Sequence, residues 1–69
     1  MKISARNTLK ATVKKVVIGA VNAEVTLEIA PGVEVVSIIT KSSAENLGIA
    51  EGKEAYAVIK ASDLIIGVD

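Results

Sequence analysis

Three short clusters of hydrogen-bond donors stand out in this chain: Ser4, Arg6 and Asn7 in "SARN", then Thr40, Ser42 and Ser43, then Lys60 and Ser62. Each cluster sits where a strand-like run begins or ends. Hydroxyls, backbone amides and one or two cations suit a small tetrahedral anion, which offers only acceptor oxygens. A short helix starting in "KSSAE" would add oriented amides at Ser42 and Ser43. The plainer alternative is that these are ordinary caps and turn residues, because Ser, Thr and Asn favour element ends for local reasons.

Other chemistries find little support. The 69 residues include no Cys and no His, which excludes disulfides, zinc fingers, haem and any triad that needs His. A paired-carboxylate site needs two acidic groups converging in a cleft. Glu24 and Glu28 instead lie on the polar face of a strand, Glu45 reads as a cap, and Glu51 and Glu54 flank a turn. No catalytic residue, no covalent cofactor and no direct protein ligand to a metal is expected. The glycines at 19, 32, 48, 52 and 67 form neither GxxxxGK nor GxGxxG, so the common nucleotide loops are absent.

Charge and composition narrow the partners. Eight basic and eight acidic residues cancel, whereas a polyanion binder shows a basic excess. Tyr56 is the one aromatic residue, a poor platform for stacking bases. No apolar run approaches a membrane span, and "MKISARNTLK" lacks the apolar core of a signal peptide. These features predict a soluble, cytoplasmic, non-catalytic protein without nucleic-acid or membrane partners.

The elements that must position the donors are mostly strands. Over Asn7 to Ile18, Leu9, Ala11 and Val13 alternate with Lys10, Thr12 and Lys14, the period of a half-buried strand. Val16, Val17 and Ile18 then follow one another, so both faces turn apolar, and Gly19-Ala20 reads as a turn. The second run is the cleanest: Val21, Ala23, Val25, Leu27 and Ile29 against Asn22, Glu24, Thr26 and Glu28. Pro31-Gly32 closes it and predicts a meander of antiparallel hairpins. In the third run, Val33 to Thr40, apolar residues occupy both faces, as in a strand covered on both sides.

Ser42 followed by Glu45 fits a capping box, and Gly48 fits a left-handed exit, predicting a short helix over Ser43 to Leu47. After the Glu51-Gly52 turn comes a fourth strand, with Tyr56, Val58 and Lys60 on one face and Ala55, Ala57 and Ile59 on the other. "LIIGV" after Ser62-Asp63 reads as a short fifth strand. The predicted class is all-β: a five-stranded OB-type Greek-key barrel with one short helix between strands three and four. An SH3-like barrel or another small β-roll is the alternative. The apolar fraction of 51% is more aliphatic surface than one small domain hides easily, which predicts buried subunit contacts.

"ISARN" with the following "LK", "VNAEVTLEI" and "VVSIITKSSAENLGIAEGKEAYAVIKASDLIIG" together closely resemble the molbindin (Mop) family, the small molybdate-binding proteins of bacteria. The resemblance covers nearly the whole chain. It implies an OB-type barrel, assembly as a homohexamer built as a trimer of dimers, and binding of molybdate or its near-isostere tungstate for storage, homeostasis or delivery. Ser4 and Arg6, with Ala5 between them, match the family's anion-contacting tetrapeptide. Lys60 and Ala61 match a second stretch from the same chain. Many relatives carry Ser where Ala61 stands, which leaves a backbone amide there, with help from Ser62. Thr40 and Ser43 match positions supplied by a neighbouring subunit. The turn Gly19, Ala20, Val21 and Asn22 is assigned to the family's second kind of site. Against this reading stand an OB-type nucleic-acid-binding domain and a purely structural oligomerisation module.

Overall fold

One long strand organises the sheet. The computed structural model describes all residues, Met1–Asp69. β1 (Asn7–Ile18) is followed by β2 (Asn22–Ala30), β3 (Val33–Thr40), helix α1 (Lys41–Leu47) and β4 (Glu54–Ile59). A 3-10 turn, Ala61–Asp63, follows β4. The strands form one antiparallel sheet in the order β3-β2-β1-β4. β1 lies inside the sheet and is shared: its first half pairs with β4, from Asn7↔Ile59 to Thr12↔Glu54. Its second half pairs with β2, from Thr12↔Glu28 to Ile18↔Ala23.

A bulge explains the change of pattern within β1. The register moves from Val13↔Leu27 to Lys15↔Thr26, leaving Lys14 as the extra residue. An extra residue shifts side-chain alternation by one position. Ala11 and Val13 therefore face the core before the bulge, and Val16 packs against it afterwards. The run of apolar residues at 16–18 is thus partly a change of phase. Beside the bulge, the Lys14 ammonium meets Glu34 at 2.6 Å and Glu28 at 3.2 Å. Glu28 and Glu34 are cross-strand partners, a like-charge pair that costs stability unless a cation lies between them.

The core is small. Ala11, Val13, Val25, Leu27 and Ala57 form it, flanked by Val16, Ile29, Val35, Ile39, Ile49 and Ala55. Burying a side chain such as Val13 or Leu27 contributes about 1.5–3 kcal/mol. Only 7 of 69 residues are buried, so much of the aliphatic surface meets solvent in the single chain. On β3, Val35, Ser37 and Ile39 pair with the buried row of β2, while Val36 and Ile38 lie on the other face and are exposed.

The helix begins earlier than its sequence predicts. Thr40, not Ser42, is the N-cap: its Oγ1 accepts a hydrogen bond from the Ser43 amide at 3.1 Å. Thr40 ends β3 in an extended conformation, so one residue closes the strand and opens the helix. Gly48 supplies the exit at φ 65°, with Gly48 N–H donating to Glu45 and Ile49 N–H to Ala44, as a Schellman-type end requires. Ala44 is the helix's buried contact.

The fifth strand is where structure and sequence part. Leu64–Asp69 forms no strand in the single chain. Ile65, Ile66 and Val68 are each more than four-fifths exposed. β3 and β4 are the two edges of the open sheet. Between them runs a largely apolar groove, lined by Leu27, Val35, Val36 and Ser37 on one side and Tyr56, Ala57, Val58 and Ile59 on the other. The alternation of "LIIGV" is strand-like, but this segment meets no strand edge of its own chain, so its backbone groups gain no ladder partner.

Candidate functional site

The first and third donor clusters meet in one pocket. Ser4, Ala5 and Arg6 line it from the segment before β1, and Lys60, Ala61 and Ser62 from the segment after β4. Ile3 and Val58 supply apolar wall, and Asp63 also lines it. The convergence follows from pairing. Asn7 and Ile59 are cross-strand partners, so the residues just outside that pair leave the sheet side by side. The Asn7 side chain ties the junction, donating from Nδ2 to the Ile59 carbonyl at 3.3 Å. Asn7 therefore acts on the backbone, while Ser4 and Arg6 face the pocket.

Arg6 and Lys60 bring two cations to this pocket, and neither joins an ion pair. The chain's ion pairs lie elsewhere, at Lys10–Glu54 and around Lys14. The 3-10 turn starts directly after Lys60, and the Asp63 amide donates back to the Lys60 carbonyl at 2.9 Å. This turn holds Ala61 and Ser62 at the rim. Two cations, the hydroxyls of Ser4 and Ser62 and turn amides make a donor-rich surface, suited to a ligand with acceptor oxygens. No group of three or more His, Cys, Asp or Glu residues converges anywhere in the fold.

The second donor cluster is elsewhere. Thr40 Oγ1 lies 3.3 Å from Ser42 Oγ and donates to Ser43 Oγ at 2.8 Å. This cluster adjoins the turn Gly19–Asn22: Thr40 pairs with Asn22, and the Lys41 amide donates to the Val21 carbonyl at 2.7 Å. The turn is closed by Gly19 N–H donating to the Asn22 carbonyl at 2.7 Å. The pocket lies where β1 starts and the Thr40 cluster lies beside the turn where β1 ends. Twelve residues of strand lie between the two, a run of roughly 40 Å if straight at about 3.3 Å each, in a chain whose longest extent is 35 Å. One small anion cannot touch both clusters of the same chain. Within one chain, Ser4, Ala5, Arg6, Lys60, Ala61 and Ser62 gather at one end of β1, while Thr40 and Ser43, the residues expected to come from a neighbouring subunit, lie by the turn at its other end.

Residues 3–66 match the TOBE domain family. The chain belongs to the TOBE-domain family. This TOBE chain is 56% identical over 66 residues to molybdenum-pterin-binding protein 3 of Clostridium pasteurianum, spanning 96% of this chain and 97% of that protein. An apo structure of MopII from Clostridium pasteurianum matches the TOBE fold with a TM-score of 0.90 at 49% identity, over 97% of this chain and 100% of that one. The cytoplasmic molybdate-binding protein ModG, with molybdate bound, matches with a TM-score of 0.93 at 51% identity. There the TOBE chain is covered completely and spans 49% of the ModG chain. The resemblance to the Mop proteins read from the motifs is thus met along nearly the whole sequence.

Two features of the TOBE pocket escaped sequence reasoning. Ile3 and Val58 form its apolar wall, and nothing in their local pattern marks them. Asp63 lines the same pocket. Its place three residues beyond Lys60, in a turn that folds back, is the signal that could have found it.

Proposed function

We propose that this chain is a non-catalytic module of residues 1–69 that binds molybdate, and tungstate as its near-isostere, between subunits of a homo-oligomer. The observation that carries the reading is the pocket where Ser4, Arg6, Lys60 and Ser62 converge with neither cation in an ion pair. A doubly charged oxyanion gives up much hydration on entry, and buried charge is costly unless hydrogen-bonded and partly neutralised. Arg6 and Lys60 supply the charge, and Ser4, Ser62 and the amides at Ala5 and Ala61 supply neutral donors. The names of the ModG and molybdenum-pterin-binding relatives support this ligand class.

The separation of the donor clusters supports a shared site. Thr40 and Ser43 of one subunit complete the pocket of another, and the turn Gly19–Asn22 serves a second kind of site. In the assembly, "LIIGV" adds as the fifth strand between β3 and β4 and closes the Greek-key barrel. The open apolar groove and the exposed aliphatic tail support this closure. The exposed Val36 and Ile38 of β3 are then covered by neighbouring subunits, in a homohexamer arranged as a trimer of dimers. The role is storage, homeostasis or delivery of the anion in the cytoplasm. No helix of the chain is long and apolar enough to cross a membrane.

Calorimetric titration of the purified protein with molybdate, tungstate, sulfate and single-stranded DNA tests the reading. The expected result is saturable heat with molybdate and tungstate, weaker heat with the smaller sulfate and none with DNA. Absence of heat with molybdate at micromolar protein would overturn it.

A further inference from the structure

Asp63 is the unexpected member of the pocket. A carboxylate lines a surface whose other polar side chains are cations and hydroxyls. It does no visible structural work there. Asp63 is exposed, its side chain makes no hydrogen bond, and it joins no ion pair. The 3-10 turn that carries it has no side-chain cap. Its backbone amide, bonded to the Lys60 carbonyl, fixes its position relative to the cation three residues earlier. The fold therefore places a negative charge in the same pocket as Arg6 and Lys60 without pairing it to either.

We propose that Asp63 sets the affinity of this pocket, as a built-in counter-charge that opposes dianion binding. Two cations without a neighbouring carboxylate attract any dianion, whatever its size, because the Coulomb term has no shape. Asp63 lowers that shape-independent share. Occupancy then depends more on hydrogen bonds from the serine hydroxyls and turn amides, which are sensitive to the length of the oxyanion's bonds. A pocket held at lower net charge also releases its anion more readily. The inference rests on the reading of the pocket as an oxyanion site.

The test compares wild type with Asp63→Asn, which keeps shape and removes charge, and with Glu51→Gln, which makes the same change of net charge in a turn outside the pocket. Each is titrated with sodium molybdate and with sodium sulfate at low and moderate ionic strength. For a dianion within roughly 10 Å of one carboxylate, removing that charge tightens binding roughly three- to tenfold. Asp63→Asn is expected to tighten both anions by a similar factor and to steepen the salt dependence. Glu51→Gln is expected to match wild type. If wild type binds molybdate while Asp63→Asn binds with equal or lower affinity, the affinity-setting role is wrong. Equal tightening by Glu51→Gln would also overturn it, since net charge alone would then explain the effect. If wild type binds neither anion, the pocket reading itself fails and this inference falls with it.

Discussion

At the residue scale, the pocket depends on charge that the protein leaves unpaired. Arg6 lies in it without a carboxylate partner, so its guanidinium is free for a ligand. A hydrogen bond to a charged group contributes about 1.5–3 kcal/mol, so Arg6→Ala is expected to weaken molybdate binding by about tenfold or more. Titration calorimetry measures this, with unchanged thermal unfolding of the unliganded variant as the control. Lys14 illustrates the opposite use of a cation. Hydrogen bonds to Glu34 first and Glu28 second hold its ammonium above the ordinary value of 10.5. A raised lysine contributes stability that is complete below the ordinary value and is lost as pH rises through the raised one. Wild type is therefore expected to lose a small increment of stability above pH 10.5 that Lys14→Gln lacks, seen in urea midpoints across that range. The increment is small because Lys14 is exposed. Of these residues, Arg6 was legible as a donor from its cluster. The place of Lys14 was not, because a bulge is a property of two paired strands.

At the element scale, most of the fold was legible because the hydrophobic period was. β1 runs over Asn7–Ile18 and β3 over Val33–Thr40, as the apolar runs and the turn residues between them predict. The helix start was misplaced because Ser42, Ser43 and Thr40 are all competent caps. The strand geometry of β3 decides among them by delivering Thr40 in an extended conformation. Thr40 thus has a structural duty beside its proposed ligand duty, and the two can be separated. Thr40→Ala is expected to lower stability by about 1 kcal/mol through loss of the cap, and also to weaken molybdate binding. Thr40→Ser keeps the hydroxyl and is expected to restore both. Urea unfolding and calorimetry on the same samples check this; stability lost without any change in affinity would remove Thr40 from the site.

At the scale of the whole molecule, the single chain leaves a sheet open and a tail exposed. Its sheet is open between β3 and β4, and the tail that carries Ile65 and Ile66 touches neither edge. The sequence showed a strand-like tail and an aliphatic excess, but pattern alone does not reveal which edge a strand will join or in which chain. Placing the tail in the groove of an assembly buries that excess. Ile66→Asp puts a charge into that closure, and burying an unpaired charge is costly. The variant is expected to run at lower mass than wild type by light scattering; an unchanged mass would exclude the tail from the assembly contacts.

The distance between the donor clusters leads to the central claim, that each anion site takes Ser4, Arg6 and Lys60 from one subunit and Thr40 and Ser43 from another. Co-refolding Arg6→Ala chains with Thr40→Ala chains tests it most directly, because each carries the half that the other lacks. With sites shared between chains, random mixing restores roughly a quarter of the high-affinity molybdate sites, as expected for symmetric assemblies of two interchangeable chains. Calorimetric stoichiometry of the mixed assembly should show those sites, although neither variant alone does. A mixture with no restored sites, from subunits shown to have co-assembled, would contradict the account.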